Sequence, residues 1–338
     1  MTDTLVPNYV HRHSAHCESG AFAGLLRHHG IALSEPMTFG IGSGLFFLYL
    51  PAIKIYGAPL VSYRDMPNAI LGRGSKRLGV RINKQRYRDP QAGMRALDEA
   101  LARGQPVGLQ TGVFWLPYFP RDMRFQFNGH HIIAYGKQQQ DYLLSDSVFE
   151  EVVRCSADDL QRARFAKGPL APKGLLYTIE SADASPDVAA AVRAAIPMTV
   201  ARMLSIPIPY MGVRGIRTLA RAVARWPTRL GPDKARSWLA ATIRMQEEVG
   251  TGGGGFRFMY AAFLAEAAEL LAKPALHKIA AALSASGDQW REFAVQGAKV
   301  IRGTERSVEA YAALAAMIER VADIEADAFK RLRSVDLK

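Results

Sequence analysis

The sequence predicts an α+β domain over residues 1–180 followed by an all-α domain over residues 187–338. Three observations carry this. The first 180 residues mix helical and alternating apolar patterns. Ser181 to Pro186 reads SADASP, a small polar linker. Beyond it the chain turns Ala-rich and helically periodic, punctuated by Pro207, Pro209, Pro227, Pro274 and the glycines around Gly252. A length of 338 residues also suits two domains.

In chain order, Ser14 to Gly30 reads as a short helix, with Ala21, Phe22, Leu25 and Leu26 as its apolar stripe and Gly30 as its stop. Ser34 to Pro51, rich in glycine and aromatics, reads as loop and buried segment. Gln91 to Ala102 reads as a helix ending near Gly104, followed by a strand from Pro106 to Gln110. His131 to Tyr135 and Tyr142 to Leu144 read as two strands joined by the polar turn Lys137 to Asp141, and Gly174 to Glu180 as a last strand. In the second half, helices are expected over Val188–Ala195, Gly215–Arg225, Lys234–Glu248, Phe256–Ala272, Ala275–Ser284, Gln289–Ile301 and Thr304–Leu332. No repeat of fixed period is present.

Composition narrows the function classes. With 49% hydrophobic and 22% charged residues the chain is not of disordered type. Two cysteines, Cys17 and Cys155, exclude a disulfide framework and any multi-Cys zinc module. The start, MTDTLVPNYVHR, lacks the pattern of a signal peptide, and the longest apolar stretch, Phe39 to Ile53, is broken by Gly40, Gly42, Gly44 and Pro51 and is too short to span a bilayer. A cytoplasmic protein with reduced thiols is expected.

The net charge of +12 is shared equally between the two halves but is locally concentrated. Arg73, Lys76, Arg77, Arg81, Lys84, Arg86 and Arg88 lie in a stretch without acids, and Arg214, Arg217, Arg221 and Arg225 fall on one helix face. Such faces are either plain solvated surfaces or docking sites for an acidic partner. No nucleic-acid-binding motif accompanies them, so no nucleic-acid partner is expected.

Cys17 is the sharpest chemical candidate. It stands near a helix start, where unpaired N–H groups and the helix dipole favour the nucleophilic thiolate. Acyl transfer through a thiol also needs a base in hydrogen-bond reach and a group orienting that base. His130 and His131 open one strand and Asp146 ends the next. An antiparallel pair brings these ends together, and side-chain alternation lets one of the two histidines face Asp146.

Four weaker signals compete. His11, His13, His16 and Cys17 are zinc-type ligands, although their spacing fits no familiar module. Gly40-Ile-Gly42-Ser-Gly44 lacks the GxGxxG spacing of a dinucleotide loop and suits a turn lining an acyl site. Thr251 to Gly255 is a hinge, a plain interhelical loop, or an anion nest with Arg257. Phe114, Trp115, Tyr118 and Phe119 form either the wall of an acyl pocket or core. Cys155 reads as structural.

HHIIAYG, His130 to Gly136, followed by Asp146, resembles the histidine and Asn/Asp strands of papain-like and C39-like thiol enzymes. HCESGAFAGLLRHHGIALSEPMTFGIGSGL, His16 to Leu45, resembles the N-terminal domain of the butirosin biosynthesis protein H family. GTGGGGFRFMYAAFLAEAA, Gly250 to Ala268, and the region of Trp290 resemble the helical domain that follows it. The resemblance implies a papain-like acyltransferase domain over 1–180. In it Cys17 would take an acyl group from an acyl-carrier-protein thioester, held on phosphopantetheine, and pass it to a small-molecule amine or hydroxyl acceptor in secondary metabolism. By the same resemblance His130 is the base and Asp146 its orienting residue, with no bound cofactor or metal. Papain-like enzymes carry an oxyanion-hole Gln six residues before the Cys, where this chain has His11, so His11 and the Cys17 N–H are the oxyanion candidates. The carrier, being acidic, would dock on Arg214, Arg217, Arg221 and Arg225 or on the Arg73–Arg88 segment. Gly40, Gly42, Ser43, Gly44 and Arg257 are candidates for a substrate loop. Two other functions fit the same residues: a thiol peptidase or amidase, and a non-catalytic scaffold binding a carrier protein.

Overall fold

The computed structural model describes residues 3–55, 57–183, 185–250, 252–303 and 307–338. The elements are β1 (Thr4–Leu5), α1 (Cys17–His28), α2 (Glu35–Ile41), β2 (Leu45–Ile55), β3 (Ala58–Arg64), α3 (Ala69–Arg77), β4 (Arg81–Gln85), α4 (Pro90–Ala102), β5 (Val107–Thr111), β6 (His130–Gln138), β7 (Asp141–Ser145), β8 (Val153–Ser156), α5 (Ala157–Arg164) and β9 (Leu176–Ser181). Helices follow: α6 (Val188–Leu204), α7 (Gly212–Leu230), α8 (Pro232–Glu247), α9 (Arg257–Leu270), α10 (Ala275–Arg302) and α11 (Val308–Ser334). The predicted α+β class with a helical C-terminal region is what the structure shows. Among the described residues no helix is long and apolar enough to cross a membrane.

The chain divides into two compact units. Unit one comprises Met1–Thr38 and Pro67–Asp187, and unit two Phe39–Met66 and Val188–Lys338. The division after Asp187 falls beside the expected linker. The segment Phe39–Met66, expected in the first domain, groups with the helices instead. It forms the antiparallel β2–β3 hairpin, whose Phe47 and Tyr63 rings pack on Trp290 of α10. Ser34 to Pro51, expected as loop and buried segment, is buried over Met37–Phe47 but is α2, with Ser34 Oγ accepting the Met37 N–H at its start, and most of β2 rather than loop. Pro51 is accommodated inside β2 because the pairing shifts register between Leu50 and Lys54 there.

Unit one is built on an antiparallel sheet in the order β4-β9-β5-β6-β7-β8, with β1 added beside β6. Strand β4 is one edge, β8 the other. In β4, Arg81 and Lys84, part of the basic stretch, are charged side chains of the kind that discourages further strand pairing. One face of the sheet, with Leu109, Ile132, Ala134 and Leu144, packs against Leu97 and Leu101 of α4 and Leu160 of α5. On the other side Gly24 of α1 lies against Ile133 of β6, so α1 crosses the sheet with its first residue beyond the end of β6.

In unit two, three helices run on past their expected ends, α7 through Pro227 among them. Helix α6 runs through Pro197, which lies on an exposed face where water can satisfy the carbonyl the proline frees. Helix α10 is continuous where two helices were expected. Gly287, in the gap between those two expected helices, is a packing position: a Cβ there would stand 2.8 Å from the Phe258 ring of α9. Thr304 to Arg306, the start of the last expected helix, lie outside the described residues, as does Thr251.

Candidate active site

Cys17 is the first residue of α1, and the chain before it is fastened by side chains. His16 is extended (φ −130°, ψ 130°), and its Nδ1 accepts the Ser19 N–H, capping the helix. The Glu35 carboxylate accepts the N–H groups of Ala15 at 2.8 Å and His16 at 2.7 Å, and the Ser19 hydroxyl at 3.0 Å. Burial pushes the Glu35 pKa above its usual range, against the pull of these three hydrogen bonds. Gly20 lets the first turn meet the chain that follows β7, since a Cβ there would lie 2.5 Å from Ser147 Oγ.

The partner groups come from the β6–β7 hairpin. The pairing sets Ile133 opposite Ser145, so His130 at the start of β6 and Asp146 just past the end of β7 share one end of the pair. His130 Nε2 lies 2.7 Å from Asp146 Oδ2. His131 points to the other face and meets the Tyr177 hydroxyl at 3.0 Å, so of the two neighbouring histidines it is His130 that faces Asp146. With Nε2 engaged, Nδ1 is the ring nitrogen left to serve Cys17. Burial disfavours the charged imidazole, yet the Asp146 carboxylate and the Cys17 side chain outweigh it and raise the His130 pKa to about 10. Cys17 is 4% exposed, His130 5% and Asp146 0%, so water is largely excluded.

Further residues join the site. The Tyr118 hydroxyl donates to Asp146 Oδ2 at 3.0 Å, and Asp146 Oδ1 accepts the Val148 N–H at 3.3 Å. The Phe119 ring stands edge-on to His130 and to Phe149. Of the four aromatics singled out in the sequence, Tyr118 and Phe119 therefore shelter the His130–Asp146 pair, whereas Phe114 and Trp115 are exposed. Glu35, Phe149 and the hydroxyl function of Tyr118 escape the sequence reading, because none forms a motif with Cys17.

Other candidates fall elsewhere. Both ring nitrogens of His11 are committed: Nδ1 lies 2.8 Å from Ser145 Oγ, and Nε2 lies 3.1 Å from the carbonyl oxygens of Phe149 and Glu150. His11 thus has no donor to offer an oxyanion, which corrects its expected role. Among the described residues no group of three or more His, Cys, Asp or Glu is placed to hold a metal ion. His11, His13, His16 and Cys17 do not form a zinc cluster.

In unit two, the rings of Phe263 and Phe39 pack against Gly40 and Gly44, and Ser43 Oγ donates to the Ala195 carbonyl. Gly42 lies in the turn before β2. Packing accounts for this glycine cluster. Arg257, expected in a substrate loop, is fully buried: it donates to both Glu325 oxygens at 2.8 and 2.9 Å and to the Gly255 carbonyl at 2.7 Å. Arg214, Arg221 and Arg225 are exposed on α7, but Arg217 is paired with Glu319 and Asp323 of α11. The stripe it was assigned to is thereby interrupted.

Comparison with known proteins adds to this geometry. Residues 158–332, a little over half the chain, match the family described as a domain of unknown function (DUF4872), and residues 16–147 match the butirosin biosynthesis protein H N-terminal family. No curated protein matches the chain. A crystal structure from Bacillus anthracis, described as that of a C39-like peptidase, aligns over 54% of this chain and 100% of its own, with 11% identity and a TM-score of 0.39.

Proposed function

The chain belongs to the DUF4872 family, whose model covers residues 158–332, and its residues 16–147 match the butirosin biosynthesis protein H N-terminal family; on that premise we propose that it is a cysteine acyltransferase of secondary metabolism. The observation that carries the chemistry is the 2.7 Å contact of His130 with Asp146, with Cys17 as the other partner of the imidazole at a helix N-terminus.

The proposed donor is an acyl thioester on the phosphopantetheine arm of an acidic carrier protein. The Cys17 thiolate attacks the thioester carbonyl and forms a new C–S bond. The carrier's C–S bond breaks, and its sulfur leaves with the proton that His130 held. The neutral imidazole then takes a proton from the acceptor amine as the amine nitrogen bonds to the acyl carbon. The Cys17 sulfur is released as thiolate, and the proton stays on His130, which restores the starting pair. Asp146 holds the imidazole in one orientation throughout. The Cys17 N–H, in the first turn where no intrahelical acceptor exists, is the proposed oxyanion donor.

The test is intact-protein mass spectrometry after mixing with acyl-carrier thioesters. The proposal expects an acyl adduct on Cys17, absent in Cys17→Ala, that an added amine clears faster than water does. An adduct cleared by water alone at the same rate would point to the hydrolase. Absence of any adduct, together with an unreactive Cys17 towards iodoacetamide at neutral pH, would leave only a carrier-binding scaffold.

A further inference from the structure

We infer that Tyr118 is a positioning residue that sets the basicity of His130 through the carboxylate oxygen the two share. The inference rests on the proposed roles of Cys17, His130 and Asp146. Asp146 Oδ2 accepts from His130 Nε2 at 2.7 Å and from the Tyr118 hydroxyl at 3.0 Å. Asp146 is fully buried, and the donors found around its carboxylate are these two and the Val148 N–H. The charge of a carboxylate removed from water is distributed over its hydrogen-bond donors. What the phenol draws from Oδ2 is withheld from the imidazole.

The tyrosine is built to stay in place. Arg124 donates to the carbonyls of Pro117 and Phe119, bracing the chain on both sides of Tyr118. The Tyr118 ring meets Phe149 edge-on at 5.4 Å and lies against Phe119. Burial and the adjacent Asp146 charge hold the phenol pKa well above its usual value, so it remains a donor across any working pH. The titratable groups facing this set are Cys17 from α1, acting on His130, and Cys155 from β8, acting on Tyr118.

The consequence lies in the second half of the reaction. Once Cys17 is acylated, His130 must be neutral to take the amine's proton. A carboxylate with no other side-chain donor would hold the imidazole protonated to higher pH and stall that step. Tyr118 lowers this threshold.

The test compares wild type, Tyr118→Phe, and protein with 3-fluorotyrosine at position 118. Cys17 is loaded with a small acyl thioester of N-acetylcysteamine, and its clearance by hydroxylamine is followed by intact mass across the pH range. Tyr118→Phe should move the rising limb of clearance up by about 0.5–1 pH unit and leave the high-pH plateau within about two-fold. Fluorotyrosine, an isosteric and stronger donor, should move the limb down, and it decides the matter if Tyr118→Phe fails to fold. NMR titration of the His130 ring in the same proteins should show the same order of midpoints without turnover. Unchanged limbs and midpoints, or an equal loss of rate at every pH, would overturn the role of Tyr118. Failure of wild type to load Cys17 overturns the proposed reaction instead, and the NMR comparison then still decides the coupling of Tyr118 to His130.

Discussion

Glu35, the first residue of α2, accepts the backbone N–H of His16 at 2.7 Å, one residue before the candidate nucleophile. A carboxylate eighteen residues downstream of Cys17 therefore fixes the path by which the chain enters α1. Glu35→Ala leaves two N–H groups without their acceptor and removes one partner of the Ser19 hydroxyl, which keeps His16. It should cost about 2–4 kcal/mol in urea unfolding and slow alkylation of Cys17 by iodoacetamide. Glu35→Gln keeps one acceptor oxygen and should cost about 1 kcal/mol. Alkylation at the wild-type rate in Glu35→Ala would show that this contact does not position the sulfur.

The His130–Asp146 pair ties stability to pH. The folded-state pKa of His130 is raised to about 10. From a usual value near 6.5, its stabilising contribution is complete below about pH 6.5 and fades as pH rises towards 10. Asp146→Asn removes the main source of that rise. The variant should be less stable than wild type by on the order of 3 kcal/mol at pH 6, and the gap should narrow steadily up to pH 10. Unfolding midpoints of both proteins at pH 6, 8 and 10 check this. A constant gap would mean that His130 is not protonated through that window.

In unit two, the Arg257–Glu325 pair is fully buried, and Glu325 also accepts the Ser286 hydroxyl at 2.8 Å and the Trp290 N–H at 3.2 Å. Removing one partner strands the other charge in the core. Glu325→Ala should destabilise unit two by about 3–5 kcal/mol and alter Trp290 fluorescence. The double replacement Arg257→Met with Glu325→Leu should recover much of the loss, because no charge is then left unpaired.

Carrier docking, if it uses α7, falls to Arg214, Arg221 and Arg225. Arg217 is spoken for by Glu319 and Asp323, so reversing its charge would loosen α7 from α11 and report on folding. Reversing Arg214, Arg221 and Arg225 together to Glu should reduce acylation by a carrier-bound thioester about tenfold or more at low salt. Acylation by a free small thioester should be unaffected. An equal fall for both substrates would remove α7 as the docking face.

Much of the fold was legible because its signals are local. The stripe of Ala21, Phe22, Leu25 and Leu26, the Gly30 stop and the polar turn before Asp141 act over a few residues. The hairpin turn and side-chain alternation were enough to bring either His130 or His131 to Asp146. Glu35, Tyr118 and the committed ring of His11 were not legible, since each acts through a partner that no local pattern specifies. The helix ends expected at Ala195 and Ser284 failed for a related reason. Proline and glycine weaken a helix locally, but an exposed face in one case and the Phe258 ring in the other decide whether the helix survives.

By itself the sequence determined that a cysteine would lie near the start of a helix, that a histidine and an aspartate would meet at one end of a strand pair, and that the second half would be helical. These follow from periodicity, capping and strand alternation, which short stretches of chain dictate. The tertiary structure alone decided which groups share the Asp146 carboxylate, that residues 39–66 fold with the second unit, and that Arg257 and Arg217 serve ion pairs. Those outcomes depend on which distant segments exclude water together, and burial is a property of the assembled chain that no short segment carries.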